Sequence, residues 1–169
     1  LWNPISVKGF LSTYTTTYGV KLEDSHSLIG KQTPISKFEL VHGKNGTLED
    51  VSGPVVVDIW ATWCRPCIEN MPHLQKLSDT YNERGVRVVG LSFDNSKEDV
   101  VSFYQDFPPP TYDVGWLGED GFQIFEINTI PSIFVLDEKG IVLRYFYNYN
   151  VDSNELELFL DQLLKSSND

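Results

Sequence analysis

Cys64 and Cys67, separated by two residues, are the side chains of this sequence whose type and spacing most directly allow chemistry. Such a pair can pass between dithiol and disulfide, and its second sulfur can attack the first in a mixed disulfide and release the bound partner. Context adds to spacing. Val55–Trp60 is a short apolar run rich in β-branched residues, the pattern of a strand buried on both faces, and a helical pattern starts at the cysteines. At a helix N-terminus the unpaired N–H groups and the macrodipole favour an anion, here the Cys64 thiolate, against an ordinary thiol pKa of about 8.5. Three other chemistries fit less well. A structural disulfide closing so small a ring constrains the unfolded chain little. Half a zinc site needs two more ligands from His26, His42 and His73, none of them in a paired spacing. A peroxidatic cysteine needs Thr or Ser three residues earlier and Pro seven earlier, where Cys64 has Ala61 and Val57. Redox exchange is the favoured reading.

The elements that must hold this pair follow from periodicity. Phe38–Val41 and Thr47–Val51 flank a Gly43-Lys44-Asn45-Gly46 turn and predict a hairpin. Ile68, Met71, Leu74, Leu77 and Tyr81 recur at helical spacing through Asn82, and Gly85 stops that helix. Pro72 should kink it, and His73 is expected in solvent on it. Val86–Phe93 reads as a second buried strand. Ser96 can cap a helix carrying Val100, Phe103 and Phe107, ended by Pro108-Pro109-Pro110. A short helix within Glu119–Glu126 follows, then strands Ile133–Leu136 and Ile141–Tyr147 joined by the Asp137–Gly140 turn. Asp152 with Glu155 resembles a capping box for a last helix turning Leu156, Phe159, Leu160, Leu163 and Leu164 inward. Parallel crossovers plus antiparallel edges predict an α/β fold with a central mixed sheet flanked by helices.

Trp60-Ala-Thr-Trp63-Cys64-Arg-Pro-Cys67, Met71-Pro72 in the following helix, and Thr129-Ile130-Pro131-Ser132 before a strand together resemble the thioredoxin superfamily. Within it the chain is most similar to the TlpA/ResA-like extracytoplasmic thiol–disulfide oxidoreductases. That likeness rests on Gly30-Lys-Gln-Thr-Pro34, Phe38-Glu-Leu40, Val88-Val-Gly-Leu-Ser-Phe-Asp94 and Leu136-Asp-Glu-Lys-Gly140. It covers about Gly30 to Leu164, which leaves residues 1–29 as an N-terminal arm and 30–169 as the thioredoxin-like domain. It also implies an extra segment between the cysteine helix and Pro131, within Lys97–Phe125. By this resemblance Cys64 attacks, Cys67 resolves and Pro131 is a cis-proline facing them. A cis bond there lets Ile130 offer its N–H and C=O to an extended substrate strand. Trp60 reads as a core aromatic. Trp63 reads as an apolar lip, and with Arg65, Pro66, Ile130, Pro131 and the Phe93-Asp94 loop it makes the expected client surface.

The same pattern places a Glu three residues after the second cysteine, and here that residue is Asn70. Glu69 lies about 100° away on the helix and is expected to face water. Six residues before Cys64 stands Asp58, interrupting the apolar strand. A carboxylate there should be partly buried with its pKa raised, and Asp58 rather than Glu69 is expected to relay the Cys67 proton. The alternative for Asp58 is a solvent-facing position at a sheet edge.

Composition bounds the rest. The 169 residues are 41% hydrophobic and 22% charged, as in a single globular domain. Thirteen Lys and Arg against 24 Asp and Glu set the net charge at −11, with no basic patch for nucleic acid or anionic lipid. No apolar stretch is long enough for a transmembrane helix. The chain opens on Leu1 without a visible signal peptide, and a trimmed signal or anchor segment is expected. The expected function is a cofactor-free thiol–disulfide oxidoreductase. It would reduce disulfides of client proteins at the periplasmic or extracytoplasmic face of the membrane, recharged by a membrane redox donor and working as a monomer. Arg65-Pro66 between the cysteines lacks the His that would make an oxidant. The implied clients are apocytochrome c haem-site cysteines or a copper-centre assembly protein. The alternative is a redox-inert or chaperone-like binding module on the same scaffold.

Overall fold

Val55–Trp60 becomes the middle strand of the molecule and is buried at every position, as a β-branched run without polar alternation requires. The computed structural model describes residues 26–166 apart from Lys44. In chain order its elements are β1 (Lys37–Leu40), β2 (Asn45–Thr47), β3 (Val55–Trp60), α1 (Arg65–Tyr81), β4 (Arg87–Ser92), α2 (Lys97–Asp106), β5 (Asp113–Trp116), α3 (Gly121–Ile124), β6 (Ser132–Leu136), β7 (Val142–Phe146) and α4 (Glu155–Ser166). The strands form one seven-stranded mixed sheet in the order β2-β1-β5-β4-β3-β6-β7. β3, β4 and β5 run parallel through the α1 and α2 crossovers, and the β1–β2 and β6–β7 pairs are antiparallel.

Alternation along β3 separates two cores. Val56 packs with Leu74, Leu77 and Tyr81 of α1 and with the inward face of α4. Val55, Val57 and Ile59 point the other way, against Phe38, Phe93, Phe125 and Phe134. Leu156, Phe159, Leu160, Leu163 and Leu164 are all buried. Such side chains contribute about 1.5–3 kcal/mol each on burial, so this stripe fastens α4 to the sheet. On the Val56 side, Trp60 meets Phe103 and Tyr104 of α2 at ring-centroid distances of 5.6 and 5.9 Å. The extra segment thus borders the end of β3 that carries the cysteines.

Several sequence expectations shift. The hairpin forms, but Asn45 and Gly46 belong to β2 rather than to the turn. Phe38 explains it: its ring lies over Gly46, where a Cβ would come within 2.3 Å. β5 has no counterpart among the strands expected from sequence. Asp152 lies in a 3-10 turn, Val151–Ser153, whose cap is the Asn150 side chain, and α4 starts only after Asn154. α1 contains Pro72 and ends at Tyr81, one residue before the Asn82 expected from the pattern. His73 is not simply solvated, since its Nε2 lies 2.9 Å from Glu157 Oε1 on α4. Of the proposed arm, residues 1–25 lie outside the described part, and Leu28 is buried in the second core.

Candidate active site

β3 ends at Trp60, and four residues later Cys64 is the N-cap of α1. Cys64 and Cys67 are joined as a disulfide. The Cys67 N–H donates to Cys64 Sγ at 3.3 Å, so a first-turn donor of the helix is directed at the outer sulfur. Pro66 sits where an N–H would have no partner in any case. Cys64 is 5% exposed and Cys67 fully buried, which distinguishes an outer sulfur from an inner one. Trp63 beside them is 63% exposed, whereas Trp60 is in the core.

Arg65 projects into solvent, where its Nε donates to Glu69 Oε1 at 2.9 Å. An ion pair this exposed is worth little, and it places Glu69 on the water side of α1. The loop before Cys64 is pinned from below. Asp94 accepts from the Thr62 N–H at 3.0 Å, from Thr62 Oγ1 at 2.7 Å and from Ser92 Oγ at 2.7 Å. Phe93 and Asp94 are both buried, and Asp94 lines the hollow beside Trp63 from beneath the loop.

Across from the cysteines the Ile130–Pro131 bond is cis, and Ile130 packs against the cluster that holds Cys64 and Cys67. Among the described residues the Ile130 main chain has no hydrogen-bond partner. The Pro131 carbonyl does have one: the Tyr149 N–H donates to it at 3.2 Å. The Tyr149 carbonyl in turn accepts from Asn70 Nδ2 at 3.2 Å, and its hydroxyl lies 3.2 Å from His73 Nε2. Sequence reading misses Tyr149 because nothing local marks a tyrosine in a loop as a junction.

Asp58 sits on the central strand between Ile133 of β6 and Gly90 of β4, which excludes a sheet edge. Val56 belongs to the cluster that includes Leu74, Trp60 to the one that includes Cys67, and alternation along β3 turns Asp58 to the same side of the sheet as both. It is 1% exposed, its Oδ1 has no hydrogen-bond partner among the described residues, and burial pushes its pKa from 3.8 up to about 7. Its charge also raises the pKa of Tyr104, Tyr112 and Tyr149, although burial is the larger cause for each. An acid half-ionised near neutrality suits proton exchange with a buried thiol. Among the described residues no three His, Cys, Asp or Glu side chains gather to hold a metal ion.

This geometry agrees with the comparisons. The Redoxin family model matches residues 29–160. The thiol-disulfide oxidoreductase ResA of a Bacillus cereus strain is 28% identical over 135 residues, covering 78% of this chain and 76% of that protein. The thiol:disulfide interchange protein DsbE of Haemophilus influenzae is 31% identical over 134 residues, covering 76% and 70%. The fold also matches the crystal structure of a Chlorobium tepidum protein assigned to the DsbE type, with a TM-score of 0.72 at 23% identity, over 80% of this chain and 97% of that one.

Proposed function

Starting from a chain that belongs to the Redoxin family and is a thiol–disulfide oxidoreductase, we propose that it serves as a reductant of protein disulfides in the cell envelope. The observation that carries this reading is the Cys64–Cys67 disulfide at the N-terminus of α1, with the cis Ile130–Pro131 peptide packed against it. In the reduced protein the Cys64 thiolate attacks one sulfur of a client disulfide. A mixed disulfide forms and the client's other sulfur leaves as a thiolate that takes up a proton. Cys67 then gives its proton to Asp58 and attacks Cys64 Sγ, which expels the reduced client and leaves the Cys64–Cys67 disulfide. Two electrons pass from protein to client, and no bound group is needed.

In this reading Trp63, Arg65, Pro66, Ile130 and Pro131 form the client surface. An extended client segment pairs with the main chain of Ile130 as an added strand. The clients are haem-site cysteines of an apocytochrome c or a copper-centre assembly protein. A membrane redox donor restores the dithiol, and the working unit is a monomer at the extracytoplasmic face. No described helix is long and apolar enough to cross a membrane.

The deciding measurement is the potential of the Cys64–Cys67 pair at equilibrium with glutathione, followed by trapping of clients with Cys67→Ser. A reductant should poise at about −220 mV or below. A value near the roughly −120 mV of a dedicated oxidant would overturn the direction. Failure of Cys67→Ser to form any mixed disulfide would favour the binding-module alternative.

A further inference from the structure

Tyr149 makes four contacts that between them join three separate parts of the molecule. Its N–H holds the carbonyl of Pro131, and its carbonyl takes the Asn70 amide from one helical turn beyond Cys67. Its hydroxyl lies beside His73, which in turn pairs with Glu157 of α4. Its ring is buried and meets Phe146 of β7 edge-on. We propose that Asn70 and the Tyr149 main chain form a positioning strap between the helix of the resolving cysteine and the cis-proline peptide, and that this strap fixes where an extended client lies relative to the two sulfurs.

The chemistry of the two ends supports this assignment. Tyr149 has one backbone donor and one backbone acceptor, and both are spent on the strap. A carbonyl can only accept, so residue 70 must present a donor, which an amide supplies and an ionised carboxylate cannot. Asn70 is itself buried, so the bond is made away from water, where an unmatched partner is costly. Pro131 has no N–H, so its carbonyl is the one main-chain hydrogen-bonding group through which this residue can be held. If the strap slackens, the Ile130 peptide is free to move relative to α1 while the sulfur chemistry is untouched. Asn70 and Tyr149 are thus positioning residues that need not contact the client.

The inference rests on the reductant reading, and the test separates the two. The probes are an oxidised Cys-x-x-Cys-His peptide, which must lie along Ile130, and 5,5′-dithiobis(2-nitrobenzoate), a small disulfide that need not. Asn70→Leu removes the donor at similar size without adding charge. Expected is about a tenfold rise in KM for the peptide, with kcat, the potential of the cysteine pair and the rate on the small disulfide all within about twofold of the parent. Asn70→Gln, which returns an amide on a longer arm, should recover part of the KM. An unchanged peptide KM, or an equal loss on both probes, would overturn the strap. Should Asn70→Leu fail to fold, amide hydrogen exchange of the parent decides: slow exchange at Tyr149 in both redox states supports it, and exchange at the rate of an open loop overturns it. A parent that reduces neither probe would sink the reductant reading, while the exchange measurement would still decide the strap.

Discussion

Burial of Asp58 without a cation or a complete set of donors has a measurable consequence for stability. The folded protein holds the Asp58 proton up to about pH 7, whereas the unfolded chain releases it near 3.8. Between those values the folded state binds more protons, so this group's contribution is complete below about pH 4 and is lost as pH rises through 7. At about 1.4 kcal/mol per tenfold step in acidity, the loss is on the order of 4 kcal/mol. Asp58→Asn should therefore gain stability over the parent by roughly that amount between pH 4 and pH 8, read from guanidinium unfolding of the oxidised proteins. Parallel stability curves would show that the carboxyl is not held neutral. The same substitution should slow resolution of the mixed disulfide by about a hundredfold and abolish a rate inflection near pH 7. Glu69→Gln, changing a side chain that faces water, should stay within about twofold. Exchange by Asp58→Asn at the parental rate from pH 5 to 9 would remove the relay.

At the scale of elements, β5 shows what local pattern conceals. Asp113-Val-Gly-Trp116 opens on an aspartate and carries a central glycine, and both residues lower strand propensity. The glycine is there for a neighbour: the Phe38 ring of β1 covers Gly115, and a Cβ would come within 2.2 Å of it. Gly115→Ala should destabilise by about 1–3 kcal/mol through overpacking, measured as a lower denaturant midpoint at unchanged slope. An alanine variant as stable as the parent would mean that Phe38 has room to move. This contrast explains what can be read from sequence. β3, α1 and α4 declare themselves because their periodicity is a direct image of burial, and the Cys-x-x-Cys pair is legible because its chemistry depends on near neighbours. Asp58 can be placed because a charge within an apolar run must have a reason. β5, Asp94 and Tyr149 depend on residues 32 to 79 positions away, such as Thr62 for Asp94 and Asn70 for Tyr149, and no local pattern carries that information.

For the whole molecule the governing quantity is the net charge of −11. It acts on association rather than on sulfur exchange, because its field extends over a Debye length of about 10 Å at 0.1 M salt. The charge is not remote from the site. The hollow beside Trp63 is walled by Asp99 and Asp106, with Thr62, Asn95 and Ser102 between them, and among the described residues no Lys or Arg lines it. Arg65, the nearest cation in sequence to the sulfurs, is partly offset by Glu69. A client with basic residues around its cysteines should therefore be drawn towards Cys64, and an acidic one held off. The on-rate for a basic disulfide peptide should fall by about tenfold or more between 0.02 and 0.5 M salt, and that for an acidic peptide of equal length should rise. Because screening leaves the disulfide and the strap untouched, the rate of product release after mixed-disulfide formation should not change over the same range. Stopped-flow measurement of both steps checks the division. An on-rate indifferent to ionic strength for both peptides would show that the acidic surface has no part in choosing clients.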